Sequence, residues 1–426
     1  MTSPVNIRPG DCPIRPDRAR RRARGAPPRN AALTRLRPPA AAHTIRSVDD
    51  RFMRRALELA RLGQYTAPPN PAVGAVLVRD GRVLAEGFHA RAGRPHAEAQ
   101  VLKVGRAARG ATLYVNLEPC CHVGRTPPCA ERIIASGVRR VVAAHPDPDP
   151  RVRGGGFDRL RSAGVEVTTG VLREEAQDLN PSFFKFLLTG TPWVTVKAAV
   201  SVDGVMAPPG TRWITRPSSR RHGRVLRREN DAILTGIATV TADDPLLTPR
   251  PRRGSRPLLR VVLDPSLRIS PEARVLRGLD QDPVLVVCAP GAPVAARRRL
   301  ENRGVEVIEA EVERVADPSH EGVTQPIALE AVLAEVGSRG AHTLLVEAGP
   351  RLTSAFLQQG LADRLVLYLA PRFLGRAEGT GLFDATRAPA GGRRQLPPAQ
   401  PEPRSARYAC LGPDLLADFR LAGRRE

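Results

Sequence analysis

From Ser47 onward the chain alternates between two hydrophobic periods. "RFMRRALELARLG" spaces its apolar residues three and four apart, which predicts a helix with one buried face, closed by Gly63. Ser47 and Asp50 ahead of it make a capping-box-like start. "AVGAVLVRDGRVLAEGFH" predicts two strands joined by the "RDG" turn. "HAEAQVLKVGR" begins as a helix, and "ATLYVNLEPC" is a strand that ends on cysteines. "CAERIIASGVRRVVAAHPDPDP" runs helix, strand, loop. Strands alternating with helices predict an α/β unit of about 125 residues. "FFKFLLTGTPWVTVKAAVSVDG" then leads into a second α/β region. Strands are predicted there at Trp193–Ala199, Ala232–Thr235, Leu259–Leu263, Val284–Cys288, Leu344–Glu347 and Leu365–Ala370. Residues 386–404, rich in Pro, Gly and Arg, predict a loop, and "LGPDLLADFRL" predicts one final strand. There is no internal repeat.

Composition narrows the picture. A chain of 426 residues suggests two or three domains, and 42% hydrophobic residues suffice for ordinary cores. No run of about 18 apolar residues occurs, so no transmembrane helix is expected. Cys12, Cys288 and Cys410 are scattered and form no disulfide framework, which points to a reducing cytoplasm. The net charge of +23 invites a nucleic-acid reading. Against it, lysine occurs only at Lys103, Lys185 and Lys197, so the charge is a general arginine excess of the kind GC-rich coding produces. Aromatics at 4% are too few for a base-stacking platform. Neither a nucleic-acid nor a membrane partner is expected. Residues 1–46, "RPDRARRRARGAPPRNAALTRLRPPAAAH" among them, read as a disordered basic head or a misassigned start.

The chemistry concentrates at two places in the first α/β unit. His96-Ala97-Glu98 opens a predicted helix, and Cys120, Cys121 and Cys129 follow in a proline-rich segment. One histidine and two thiolates suit tetrahedral zinc with one position left open for water, whose pKa the metal lowers. Glu98, two residues past the histidine, is placed to shuttle protons rather than to bind metal. This is the zinc-deaminase pattern of H-x-E followed by P-C-x-x-C, except that the cysteine gap here is Cys120-x8-Cys129.

That longer insert, "HVGRTPP", together with "PPNPAVGAVLV" at Pro68–Val78, resembles the deaminase half of the bifunctional riboflavin-biosynthesis deaminase–reductases. The resemblance implies that His96, Cys120 and Cys129 bind Zn2+, that Glu98 is catalytic, and that Cys121 occupies a variable position. It implies a substrate contact for Asn70, and Arg125 and Thr126 in the substrate loop. The likeness runs from about Val48 to Leu421. In the second half it is carried by "VKAAVSVDG", "RWIT", "ILTGIATVTADDPLLTPR" and "LLVEAGPRLTSAFL".

The implied architecture is a cytidine-deaminase-like three-layer domain at 47–172, a connector at 173–190, and a dihydrofolate-reductase-like α/β domain at 191–426. "VEAGPRLTSAFL" reads as strand, glycine turn and helix, and N–H groups at such a helix start attract phosphate. By resemblance, Gly349, Pro350, Arg351, Leu352, Thr353, Ser354 and Ala355 would hold NADPH phosphates. Thr239, Asp243 and Trp213 would flank the cofactor, and Val200 would face it by its backbone. Lys197, Thr211, Arg227, Leu247, Arg250 and Glu347 would contact substrate, the arginines suiting a phosphate dianion. The implied reaction deaminates 2,5-diamino-6-ribosylamino-4(3H)-pyrimidinone 5′-phosphate and then reduces its ribosyl group to ribityl with NADPH. The expected partners are this small molecule and further copies of the chain, in the cytoplasm.

Overall fold

A computed structural model of the protein describes residues 47–122, 127–206, 211, 213–249, 256–312, 326–375, 381–382 and 403–422. The predicted head at 1–46, most of the 386–404 loop, and Arg125, Thr126 and Arg250 lie outside the described residues.

Helix α1 (Val48–Gly63) starts where the pattern places it. Ser47 is extended, and its Oγ accepts from the Asp50 N–H at 3.1 Å. The first sheet consists of β1 (Gly74–Arg79), β2 (Arg82–Phe88), β3 (Thr112–Val115), β4 (Arg140–Ala143) and β5 (Glu166–Thr169), in the order β2-β1-β3-β4-β5. β1 pairs antiparallel with both neighbours, and β3, β4 and β5 run parallel. Helices α2 (Ala97–Val101), α3 (Cys129–Ser136), α4 (Gly155–Ser162) and α5 (Arg173–Leu179) complete the unit. Ala75 and Leu77 of β1 pack beneath α2, α3 and α4 with Ala97, Ile133 and Leu160. Val76 and Val78 turn the other way, against Phe52, Met53 and Ala56 of α1 and Ala176 of α5. A sheet covered on both faces needs apolar residues at successive positions, so β1 shows no polar alternation. The helix predicted from His96 is shorter than its pattern. It passes into a 3₁₀ turn at Leu102–Ala108, where Gly105 takes φ 62°, a conformation glycine adopts without strain.

Helix α6 (Pro181–Thr189) leads into the second sheet. Its elements are β6 (Trp193–Ser201), α7 (Pro217–Glu229), β7 (Ala232–Gly236), α8 (Ile237–Asp243), β8 (Leu259–Leu263), β9 (Val284–Cys288), α9 (Val294–Glu301) and β10 (Glu306–Glu309). They continue as α10 (Leu329–Ser338), β11 (Thr343–Val346), α11 (Pro350–Gln358), β12 (Arg364–Ala370), β13 (Pro403–Leu411) and β14 (Asp414–Leu421). The nine strands lie in the order β10-β9-β8-β7-β11-β6-β12-β14-β13, parallel from β10 to β12 and antiparallel thereafter. Leu226, Val240 and Leu300 of α7, α8 and α9 cover one face, and Val332, Leu333 and Phe356 of α10 and α11 cover the other.

All six strands predicted in this region are present. The single final strand is instead a hairpin, β13–β14, and Pro403 and Arg404 of the predicted loop begin β13. β13 is an edge strand with mostly exposed side chains, so it carries no apolar signature, and only its pairing with β14 reveals it. β5 and β10, also edge strands, escaped prediction for the same reason.

Candidate active sites

The first site forms where β3 ends and two helices begin. His96 is the residue before α2, and Cys129 is the first residue of α3. Cys120 lies between β3 and α3, and its Sγ accepts from the Cys129 N–H at 3.3 Å. His96 Nδ1 is 3.7 Å from Cys120 Sγ and 3.3 Å from Cys129 Sγ. Tetrahedral zinc with bonds of 2.0–2.3 Å would space such donors at about 3.5 Å, so the three residues fit the metal. Among the described residues they are the one cluster of metal-binding type. The hydrogen bond between the two thiols lowers the pKa of Cys120 and raises that of Cys129. The His96 pKa is raised by its contact with Cys120. Glu98 is 4% exposed, and burial raises its pKa. Its Oε2 is enclosed without a hydrogen-bond partner. A buried carboxyl beside a three-donor cluster of zinc spacing is suited to proton transfer.

Asn70 joins this site through a residue that sequence reasoning missed. Its Nδ2 donates to His89 Nε2 at 3.0 Å, which leaves His89 Nδ1–H to donate to the Pro95 carbonyl at 3.3 Å. His89 is 2% exposed, and burial lowers its pKa, in keeping with the neutral tautomer. Its ring meets His96 edge-on at 5.3 Å.

Glu118 is a second missed residue, although it stands in the quoted "LEPCC". Its Oε2 accepts from the N–H groups of Asp147 and Gly154 at 3.1 and 3.0 Å. Its Oε1 accepts from those of Gly156 and Phe157 at 2.9 and 3.2 Å. Glu118 therefore caps α4 from another part of the chain and pins the "PDPDP" loop beside Cys120. Gly156 permits this approach, since a Cβ there would lie 2.1 Å from the Pro119 carbonyl oxygen. Asp147 is a third such residue. It is 8% exposed, and burial pushes its pKa up to about 7. Cys121 packs its Sγ against Gly155 and the carbonyls of Arg151 and Val152, away from the metal donors.

The second site lies at the carboxyl ends of β6, β7 and β11, the end of a parallel sheet where ligands bind. Glu347 follows β11 and is level with Lys197 of β6. Arg227 of α7 donates to it bidentately, Nε to Oε1 at 2.8 Å and Nη2 to Oε2 at 2.9 Å. Lys197 Nζ stands 4.0 Å from Oε2. Burial alone would raise the Glu347 pKa, but the two cations hold it down at about 2. Arg227, anticipated as a contact for a phosphate dianion, has two of its nitrogens committed to Glu347.

Gly349 precedes α11, and its N–H donates to Thr239 Oγ1 of α8 at 3.1 Å, so these two predicted positions meet. Of the α11 residues, Pro350 and Arg351 sit at its start. Leu352 and Ala355 pack partly on the core. Thr353 bonds the Ala348 carbonyl through Oγ1, and Ser354 is buried with an unpartnered Oγ. The side chains of Thr353 and Ser354 face the fold, whereas Arg351 is exposed at the helix start, so its guanidinium and the main-chain N–H groups of Arg351 and Leu352 are the phosphate donors this segment offers. Val200 is 3% exposed, and Asp243 is exposed at the end of α8. Trp213 is 55% exposed, with the Arg220 guanidinium over its ring at 5.1 Å, and Thr211 is half-buried. Leu247, buried, adopts φ 53°, a conformation unfavourable for leucine that persists where the surroundings enforce it. The neighbouring Leu246 carbonyl accepts from Arg260, a fully buried guanidinium that also donates to the Arg277 and Gly278 carbonyls.

Two family models match the chain. One, described as the cytidine and deoxycytidylate deaminase zinc-binding region, spans 46–145, and the other, the RibD C-terminal domain, spans 192–401. The riboflavin biosynthesis protein RibD of Escherichia coli (strain K12) is 42% identical over 342 residues, 77% of this chain and 89% of that one. That of Aquifex aeolicus is 39% identical over 343 residues, 80% and 91% of the two chains. Acinetobacter baumannii RibD superposes with a TM-score of 0.73 at 35% identity, covering 88% of this chain and 99% of that one. A diaminohydroxyphosphoribosylaminopyrimidine deaminase/5-amino-6-(5-phosphoribosylamino)uracil reductase from Thermotoga maritima gives 0.68 at 32%, with the same coverage. Fold and sites together define a two-headed enzyme, a zinc-dependent deaminase joined to a reductase. The chain belongs to the RibD family, and it carries out the deaminase and then the reductase step of riboflavin biosynthesis.

Proposed function

We propose that residues 47–172 form the deaminase domain, 173–190 the connector and 191–426 the reductase domain, and that the residues brought together above carry the two reactions. The substrate is the diaminopyrimidinone ribosyl phosphate. Held by His96, Cys120 and Cys129, zinc supplies the Lewis acidity that makes water a nucleophile near neutral pH. Glu98 takes the proton of the attacking water and returns it to the departing ammonia. Asn70, held by His89, donates to the pyrimidine edge. The observation that carries this reading is the buried, unpartnered Glu98 oxygen beside a three-donor cluster of zinc spacing.

In the second site NADPH supplies the hydride. The first-turn N–H groups of α11, steadied by the Thr239–Gly349 bond, hold its phosphates. Trp213, Asp243 and the Val200 backbone line its path. Lys197 faces the ribose ring oxygen, where the opening ring needs a proton, and Glu347 accepts from a ribose hydroxyl. Arg227 fixes Glu347 and retains Nη1 for substrate. Thr211, the Leu247 backbone and Arg250 complete the substrate contacts. The enzyme works in the cytoplasm as a homo-oligomer. Among the described residues no helix is long and apolar enough to cross a membrane.

The test supplies the diaminopyrimidinone phosphate to zinc-loaded protein with and without NADPH and identifies products by mass spectrometry. Deaminated product without NADPH, and deaminated plus reduced product with it, is the expected result. Glu98→Gln is expected to lose deamination by about 10²–10⁴-fold while keeping its zinc and its reductase rate. No turnover by the zinc-loaded protein overturns the substrate assignment.

A further inference from the structure

We infer that Tyr368, anchored by His222, is the positioning residue that fixes the Lys197 ammonium in the reductase site. The inference rests on the assignment of Lys197 and Glu347 to the reduction. Register brings the three together. Lys197 pairs with Val366 of β12, and Tyr368, two residues further on, shares that face of the sheet. Val346 pairs with Val196, so Glu347 is level with Lys197 on the opposite flank. Helix α7 covers all three, with His222, Gly223 and Arg227 turned to the sheet.

Tyr368 is 1% exposed, and its hydroxyl lies 2.7 Å from His222 Nδ1, so the ring is held at both ends. Lys197 Nζ lies 5.8 Å from the ring centroid and 4.0 Å from Glu347 Oε2. The ammonium is therefore held between a carboxylate and a π face, at a separation where a cation is attracted to the ring. Glu347 gives both oxygens to Arg227 and restrains Lys197 only loosely, so the ring is the second restraint on a side chain with four rotatable bonds. Burial raises the Tyr368 pKa and lowers that of His222, and two neutral groups do not repel the cation. Helix α7 lies directly over the pair: a Cβ at Gly223 would stand at van der Waals distance, 3.9 Å from Tyr368 Oη and 4.0 Å from Lys197 Cε.

The test measures reduction of the deaminated substrate by Tyr368→Leu and Tyr368→Phe, each alone and combined with Lys197→Met. The deaminase rate of the same polypeptide reports folding. Tyr368→Leu is expected to lower kcat for reduction roughly 10-fold, with the KM for NADPH and the deaminase rate unchanged. Tyr368→Phe, which keeps the ring, restores most of the loss. In the Lys197→Met background Tyr368→Leu is expected to add nothing. Losses that multiply show that Tyr368 acts independently of Lys197 and overturn the proposal, as does an unchanged kcat in Tyr368→Leu. Full reductase activity in Lys197→Met alone refutes the underlying assignment of Lys197, a result distinct from either. If Tyr368→Leu loses the deaminase as well, Tyr368→Met replaces it, with a kcat loss for reduction that Lys197→Met abolishes as the expected result and an unchanged kcat or multiplying losses overturning the proposal.

Discussion

Replacing Glu118 by glutamine tests how the deaminase site is held. Each Glu118 oxygen accepts from two main-chain N–H groups, of Asp147 and Gly154 on one side and of Gly156 and Phe157 on the other. Whichever oxygen becomes an amide nitrogen, two N–H groups, at least one of them buried, lose their acceptor and face another donor. Leaving a buried donor unsatisfied costs about 1–3 kcal/mol. Loss of negative charge at the start of α4 adds a few tenths to about 1 kcal/mol. The total is about 2–7 kcal/mol, a large share of the stability of a domain of this size. The melting transition of the deaminase domain is expected to fall by roughly 10 °C or more, with deaminase activity falling at lower temperature than reductase activity. Thermal denaturation followed alongside both activities is the assay. A Glu118→Gln protein that melts within about 2 °C of the parent, with deaminase intact, would refute the claim that this carboxylate clamps the loop.

Two further outcomes are expected. The folded-state pKa of Glu347, about 2, lies below its ordinary value of 4.5, so the folded protein favours the ionised form. Its contribution is fully present above pH 4.5 and is lost as pH falls through 2. Acid unfolding of the reductase region should therefore be less steep in Glu347→Gln, and an identical acid profile in circular dichroism would refute this. Thr239→Val removes the acceptor of the Gly349 N–H at the start of α11. The KM for NADPH is expected to rise about 5–10-fold with deaminase kinetics unchanged, and an unaltered KM would count against a role for this bond.

Much of the metal site was legible in the chain because its encoding is local. His96 and Glu98 stand two residues apart at a helix start, and Cys120 and Cys129 bracket a short segment between a strand and a helix. Hydrophobic period alone placed the strands buried on both faces, since a sheet between two helix layers demands unbroken apolar runs. What stayed hidden rests on residues of ordinary type that acquire a role only through partners far along the chain. Glu118 reads as one more acidic residue until the fold brings the N–H groups at 147–157 to it. His89 reads as a strand-end histidine until Asn70 meets it. β13 is a polar edge with no period of its own, and the bidentate pairing of Arg227 with Glu347 leaves no trace along the chain. The sequence by itself determined the helices and strands that carry an apolar face and the close spacing of His96, Glu98 and the cysteines, because period and spacing are properties of neighbouring residues. Only the tertiary structure decided which carboxylate holds which loop and which cation answers which anion, because hydrogen bonds and charge pairs act across a few ångströms of space whatever the separation along the chain.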